Sequence, residues 1–111
     1  MGHILVIAPN ADLRRSLRFA LEAEGHSILS CSSVAEALAA PGPYDCTVLD
    51  HHASDGTLAS FPKLFGPVVL LANSAAHPLA RHSAATLTKP ALGPFLSQAV
   101  GQAMAPRGNP T

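Results

Sequence analysis

Two rhythms of apolar and polar residues alternate along this chain. Ile4-Leu5-Val6-Ile7 is an unbroken apolar run, and Cys46, Val48 and Leu49 centre another inside Tyr44–Asp50. Pro67-Val68-Val69-Leu70-Leu71-Ala72 is a third. Short apolar runs rich in β-branched residues and bounded by Pro, Gly or polar residues predict strands covered on both faces. Ser27–Ser30, around Ile28 and Leu29, is shorter and more polar, as an edge strand should be, and Ala85–Thr88 predicts a weak fifth strand.

Between the runs the apolar spacing changes to three or four. Leu13, Leu17, Ala20 and Leu21 follow Asn10, a good N-cap, and Gly25 stands where a helix closes with a left-handed glycine. On that helix Arg14, Arg15 and Arg18 are expected on the wet face, with Arg18 one turn before Glu22. Ser33-Val34-Ala35-Glu36 has the S-x-x-E form of a capping box and opens a second helix through Leu38 to Ala40, ended by Pro41-Gly42-Pro43. His51 to Gly66 has room for a short helix interrupted by Pro62, and Asn73 to Ala85 is again brief for a crossover. Leu92, Phe95, Leu96, Ala99, Val100, Ala103 and Met104 repeat at helical spacing, with Pro94 in the first turn. Strands alternating with helices predict a doubly wound, five-stranded parallel α/β sheet over residues 1–104. Residues 105–111, with two prolines and a glycine, are expected as a frayed tail or linker stub.

Composition narrows the function. At 111 residues the chain has room for one domain with a real core. Seven basic and seven acidic residues cancel, and Arg14, Arg15 and Arg18 form the one basic cluster, which argues against nucleic acid or a membrane surface as main partner. No apolar run approaches a membrane span, and the N-terminus lacks the shape of a signal peptide, so a cytoplasmic location is expected. Cys31 and Cys46 have no zinc-finger spacing and read as small buried hydrophobes.

The candidate chemistry lies where the third strand ends. In a parallel α/β sheet ligands bind just beyond the carboxyl ends of strands, which puts Asp50 in the crevice, although Asp also caps turns often. His51 and His52 follow. Adjacent residues on a strand point to opposite faces, so this pair could chelate a metal with Asp50 only where the chain leaves the strand. The reading preferred is of loop residues lining the crevice, whose charge can respond to pH near neutrality, with no metal site assigned.

In this order and context the chain resembles a receiver domain of bacterial two-component response regulators. The residues that carry the resemblance are Ile4–Ile7, Asp12-Leu13-Arg14, Tyr44-Asp45 through Leu49-Asp50, Asp55-Gly56, Pro67–Leu71 and Leu87-Thr88-Lys89-Pro90. The resemblance implies a flavodoxin-like (CheY-like) sheet of order 2-1-3-4-5, here with the third and fourth helices shortened. In that order the two thiols stand about two strand spacings apart, roughly 9–10 Å, too far for a disulfide. It also implies that Asp50 is the phosphoacceptor and Lys89 the charge partner of its phosphoryl group, with a cis Lys89-Pro90 bond.

The departures from that pattern set the functional expectation. The family holds magnesium with two acidic residues straight after the first strand; here those positions are Ala8 and Pro9, which supply no side-chain oxygen. The fourth-strand hydroxyl position is Ala72, with Asn73 and Ser74 just beyond it, and the aromatic switch position is Thr86. Magnesium binding is therefore expected to be lost or weak, with no other cofactor. The expected function is an atypical receiver, not an enzyme, acting mainly as a protein-protein interaction module. Its partner would be a histidine kinase or another signalling protein, and the sequence is compatible with a homodimer. One alternative is a working single-domain receiver phosphorylated on Asp50. A weaker one is a small flavodoxin-like ligand-binding protein or enzyme, disfavoured because no glycine-rich phosphate loop follows the first strand.

Overall fold

A computed structural model describes residues 2–39, 43–53, 66–72, 85–88 and 94–104. The elements are β1 (His3–Ile7), α1 (Ala11–Ala23), β2 (Ser27–Cys31), α2 (Val34–Leu38), β3 (Cys46–Asp50), β4 (Val68–Ala72), β5 (Ala85–Thr88) and α3 (Pro94–Met104). A short 3-10 turn, His51–Ala53, follows β3 directly. All neighbouring strands pair in parallel, in the order β2-β1-β3-β4-β5, as expected. The expected third and fourth helices beyond that turn, Asn73 and Ser74, Lys89-Pro90, the side chain of Phe95 and the segment 105–111 lie outside the described residues. No helix among the described residues is long and apolar enough to cross a membrane.

Successive strand residues face opposite sides of the sheet, and both sides are covered. Ile4, Val6 and Ala8, Cys46 and Val48, and Val69 and Leu71 meet Leu17 and Leu21 of α1 and Leu96, Ala99 and Val100 of α3. On the other side Leu5, Ile7, Leu49, Val68, Leu70 and Ala72 meet Ala37 of α2 and Tyr44. That is why β3 and β4 are buried at every position. The two cysteines fall in opposite clusters, Cys46 under α1 and α3 and Cys31 towards α2, so the sheet itself separates them. Both are free thiols, and burial pushes Cys46 up to about 12.

Local signals act where the sequence places them, with three differences. Asn10 caps α1 by accepting from Leu13 N at 2.9 Å. Its far end is a Schellman motif, with His26 N donating to Leu21 O and Gly25 N to Glu22 O around Gly25 at φ 94°. Arg18 pairs with Glu22 at 3.1 Å. Arg14, however, does not lie on the wet face with its neighbours: it is partly buried and turned back towards β1. Helix α2 stops at Leu38, two residues early, with Ala39 as its C-cap. Its N-cap Ser33 accepts from Glu36 N, but the Glu36 carboxylate reaches Ser32 N at 2.7 Å instead of the cap's own amide. The capping box is offset by one residue, and one orphan amide ahead of the helix is still satisfied.

Two substitutions on α3 separate packing from propensity. Leu96 is fully buried between α3 and the sheet, so Leu96→Ala should cost about 2–5 kcal/mol in denaturant unfolding. A Cβ added at Gly101 meets no atom within 4 Å, so Gly101→Ala should be neutral or stabilising by up to about 1 kcal/mol. A loss at Gly101 would mean that this helix surface is covered.

Candidate functional site

The candidate site lies at the carboxyl ends of the central strands, where ligands bind in parallel sheets. Asp50 ends β3 and is 1% exposed, one of two buried polar residues among those described. Its neighbour across β1 follows from the register: Ile7 pairs Leu49, so the next position, Ala8, comes abreast of Asp50. Ile4, Val6 and Ala8 share one face, and by the same alternation Asp50 continues the face of Cys46 and Val48. The carboxylate and Ala8 therefore belong to the same side of the sheet, below the start of α1.

Ala8 is fully buried. What comes to this end of β1 is a cation: Arg14 Nη1 donates to Ala8 O at 2.8 Å and to Pro9 O at 3.3 Å. Residue 14 is the second-turn position of a helix whose first turn starts at Ala11, so its side chain reaches back over the β1–α1 loop. The same guanidinium lowers the Cys31 thiol, against burial and the Glu36 carboxylate, which raise it more strongly and leave it above its ordinary value. Arginine delivers planar, always-charged donors, and here two backbone oxygens take them. A fold of this kind invites magnesium here, which needs several oxygen ligands in tight octahedral geometry. The residues do not fit it: Ala8 and Pro9 have no side-chain oxygen, and their carbonyls already face Arg14.

On the far side of Asp50 the chain turns at once into the 3-10 turn. His52 N donates to Asp50 Oδ1 at 3.5 Å, and His52 Nδ1 lies 3.8 Å from Asp50 Oδ2. His51 and His52 have left the strand, as their reading as loop residues requires, and their rings stand 4.0 Å apart at 36°. The remaining site residues are placed as follows. Ala72 ends β4, fully buried on the α2 side, and Thr86 is half-buried on β5 opposite Leu70. Lys89 lies just past Thr88, outside the described residues. The sequence reading missed Arg14 as a residue of this strand end. Its signal was there in the spacing: a long cationic side chain one turn into a helix, behind a loop of exposed carbonyls.

No protein-family model matches the sequence, and a search of curated proteins finds no match. Solved structures do match along nearly the whole chain. A response regulator receiver domain from Clostridium thermocellum superposes with TM-score 0.79 at 24% identity, covering 94% of each chain. The chain has the receiver-domain fold. A two-component response regulator from Clostridium difficile gives TM-score 0.75 at 26% identity, over 98% of this chain and 99% of that one. The response regulator TrrA of Thermotoga maritima, crystallised with Mg(2+)-BeF, gives 0.79 at 22%, over 93% and 99%. Asp50 ends the third strand, as its place in the sequence predicts.

Two measurements follow from this geometry. Arg14→Ala removes a partly buried, charged hydrogen bond and should lower stability by about 1–2 kcal/mol. Arg15→Ala removes an exposed contact at 3.8 Å and should change it by less than about 0.5 kcal/mol. Equal losses in denaturant titrations would show that Arg14 contributes nothing beyond a surface arginine. In calorimetry, magnesium should bind no better than to an unrelated neutral protein; binding at about millimolar or tighter that Asp50→Asn abolishes would overturn the misfit.

Proposed function

We propose that this chain is an atypical receiver of two-component signalling that works by contact with a protein partner, with little or no phosphoryl transfer on Asp50. The observation that carries the reading is the end of β1, where a buried alanine and an arginine-bound loop stand in place of an oxygen-rich metal site. Phosphoryl transfer relies on positioned positive charge, supplied in this chemistry largely by a metal ion that bridges the reacting oxygens. Removing it costs orders of magnitude in rate. The chain then has no catalytic role of its own.

The relay beyond Asp50 supports the same reading. Ala72 has no side-chain group to hydrogen-bond a phosphoryl oxygen, and Thr86 has no ring to swing between two positions. A ligand shifts a two-state equilibrium only by its differential affinity for the two states. A phosphoryl group on Asp50 therefore gains little from an active-like arrangement, and the surface near Thr86 and α3 keeps one conformation. A histidine kinase or another cytoplasmic signalling protein is the class of partner proposed. Helix α1 offers it Phe19, 76% exposed in line with Arg15 and one turn from Glu22. A single exposed aromatic is common enough on any surface that it supports the reading without carrying it.

A second reading has one observation in its favour. Asp50 ends β3 in a fold shared with TrrA, a protein crystallised with a magnesium beryllofluoride complex. In that reading the chain is a working receiver phosphorylated on Asp50.

Amide NMR with and without beryllofluoride, beside intact-mass analysis after incubation with a small-molecule phosphodonor and magnesium, separates the two. The atypical receiver should show no Asp50-dependent phosphorylation, and shifts confined to residues 50–53 or none. Phosphorylation lost in Asp50→Asn, with shifts spreading to Thr86 and Leu96, would establish the working receiver instead.

A further inference from the structure

The turn that follows β3 does what a strand cannot. In extended chain, consecutive side chains point to opposite faces and residues 51 and 52 could not share a ligand. The 3-10 turn His51–Ala53 brings their rings to the same side of the backbone, 4.0 Å apart. Asp50, immediately before the turn, adds a carboxylate. One donor atom from each of Asp50, His51 and His52 lies within 4.8 Å of the other two, and this is the one such group of three among the described residues.

We infer that Asp50, His51 and His52 form a binding site for a late first-row divalent cation of the zinc class. Two imidazoles and a carboxylate suit zinc, nickel, copper or cobalt and do not suit magnesium, which takes oxygen ligands. One of the three pairs stands near the spacing such an ion needs, within a group whose donor atoms lie up to 4.8 Å apart. Around tetrahedral zinc, with bonds of about 2.0–2.2 Å, donor atoms sit about 3.4 Å from one another. His52 Nδ1 and Asp50 Oδ2 are already at 3.8 Å, so that pair must close by only about 0.4 Å. The His52 side chain is 60% exposed, which leaves space around it for that adjustment, while the carboxylate it would meet is 1% exposed.

Three protein ligands leave a fourth position for water or for a ligand from a partner. The site also bears on signalling without depending on it. A carboxylate committed to a cation is a poor nucleophile towards a phosphodonor, so the ion would guard Asp50 whether or not the chain is otherwise able to accept phosphate.

The test is calorimetric titration of the full chain with zinc, with cobalt(II) as a spectroscopic probe, in excess magnesium. One equivalent should bind with a Kd of about 10 µM or tighter, undisturbed by the magnesium. His52→Ala keeps the buried elements intact and should weaken binding at least tenfold, because even groups that only support metal ligands cost about 10–100-fold when removed. Asp50→Asn should weaken it similarly. Paramagnetic broadening by cobalt(II) in the unaltered protein should centre on residues 50–53, which tests the place without any substitution. Binding absent, equally strong in His51→Ala/His52→Ala, or centred on His3 and His26 would overturn the site. Because the readout is metal binding, failure here leaves the phosphorylation result untouched, and the reverse holds too.

Discussion

A parallel sheet has to be covered on both faces, and that constraint organises this protein. Strand β3 is its centre: buried at all five positions, it has β1 on one side and β4 on the other. Each large side chain removed from water there contributes roughly 1.5–3 kcal/mol, so the alternation of Cys46 and Val48 with Thr47 and Leu49 sets which helix goes to which face. The carboxyl end of that strand is the place where burial stops being apolar. Asp50 sits there at 1% exposure because the strand carries it to the edge of the core and no further.

The chemistry of the site follows from what surrounds that one carboxylate. On the β1 side lie an alanine and a loop whose carbonyls face a guanidinium. On the other side lie two imidazoles drawn together by a 3-10 turn. An oxygen-loving ion finds few ligands on the first side, and a nitrogen-loving ion finds two on the second. On the metal site we infer, the receiver-domain fold carries a strand end that prefers nitrogen-binding to oxygen-binding ions. That preference is chemical and local; the sheet beneath it, and its likeness to solved receiver domains, is unaffected.

Much of this architecture was legible because short-range signals and burial agree. The runs Ile4–Ile7 and Pro67–Ala72, the cap at Asn10, the left-handed Gly25 and the apolar stripe through Leu96 and Val100 each have a local cause, and each holds. Helix α2 ran shorter than its cap suggested: Ala37 is its one buried residue, Val34 is partly buried against the same cluster, and Leu38 and Ala39 are already exposed. The separation of the thiols was also legible, though by strand order alone; that they face opposite sides of the sheet reinforces it.

The sequence by itself determined the class of sheet, its strand order through resemblance, the place of Asp50 at a strand end, and the lack of side-chain oxygen at Ala8 and Pro9. These are properties of period and residue type, which need no neighbour to define them. Only the tertiary structure decided the direction of Arg14 and the company of His51 and His52. A flexible arginine on a helix has a wet side and a dry side to choose from, and the choice is made by carbonyls on another element. Two adjacent histidines diverge on a strand and converge on a turn, and where the strand stops is set by how far the paired sheet extends: β3 pairs with β4 as far as Asp50 and Leu71, and the chain turns at the next residue.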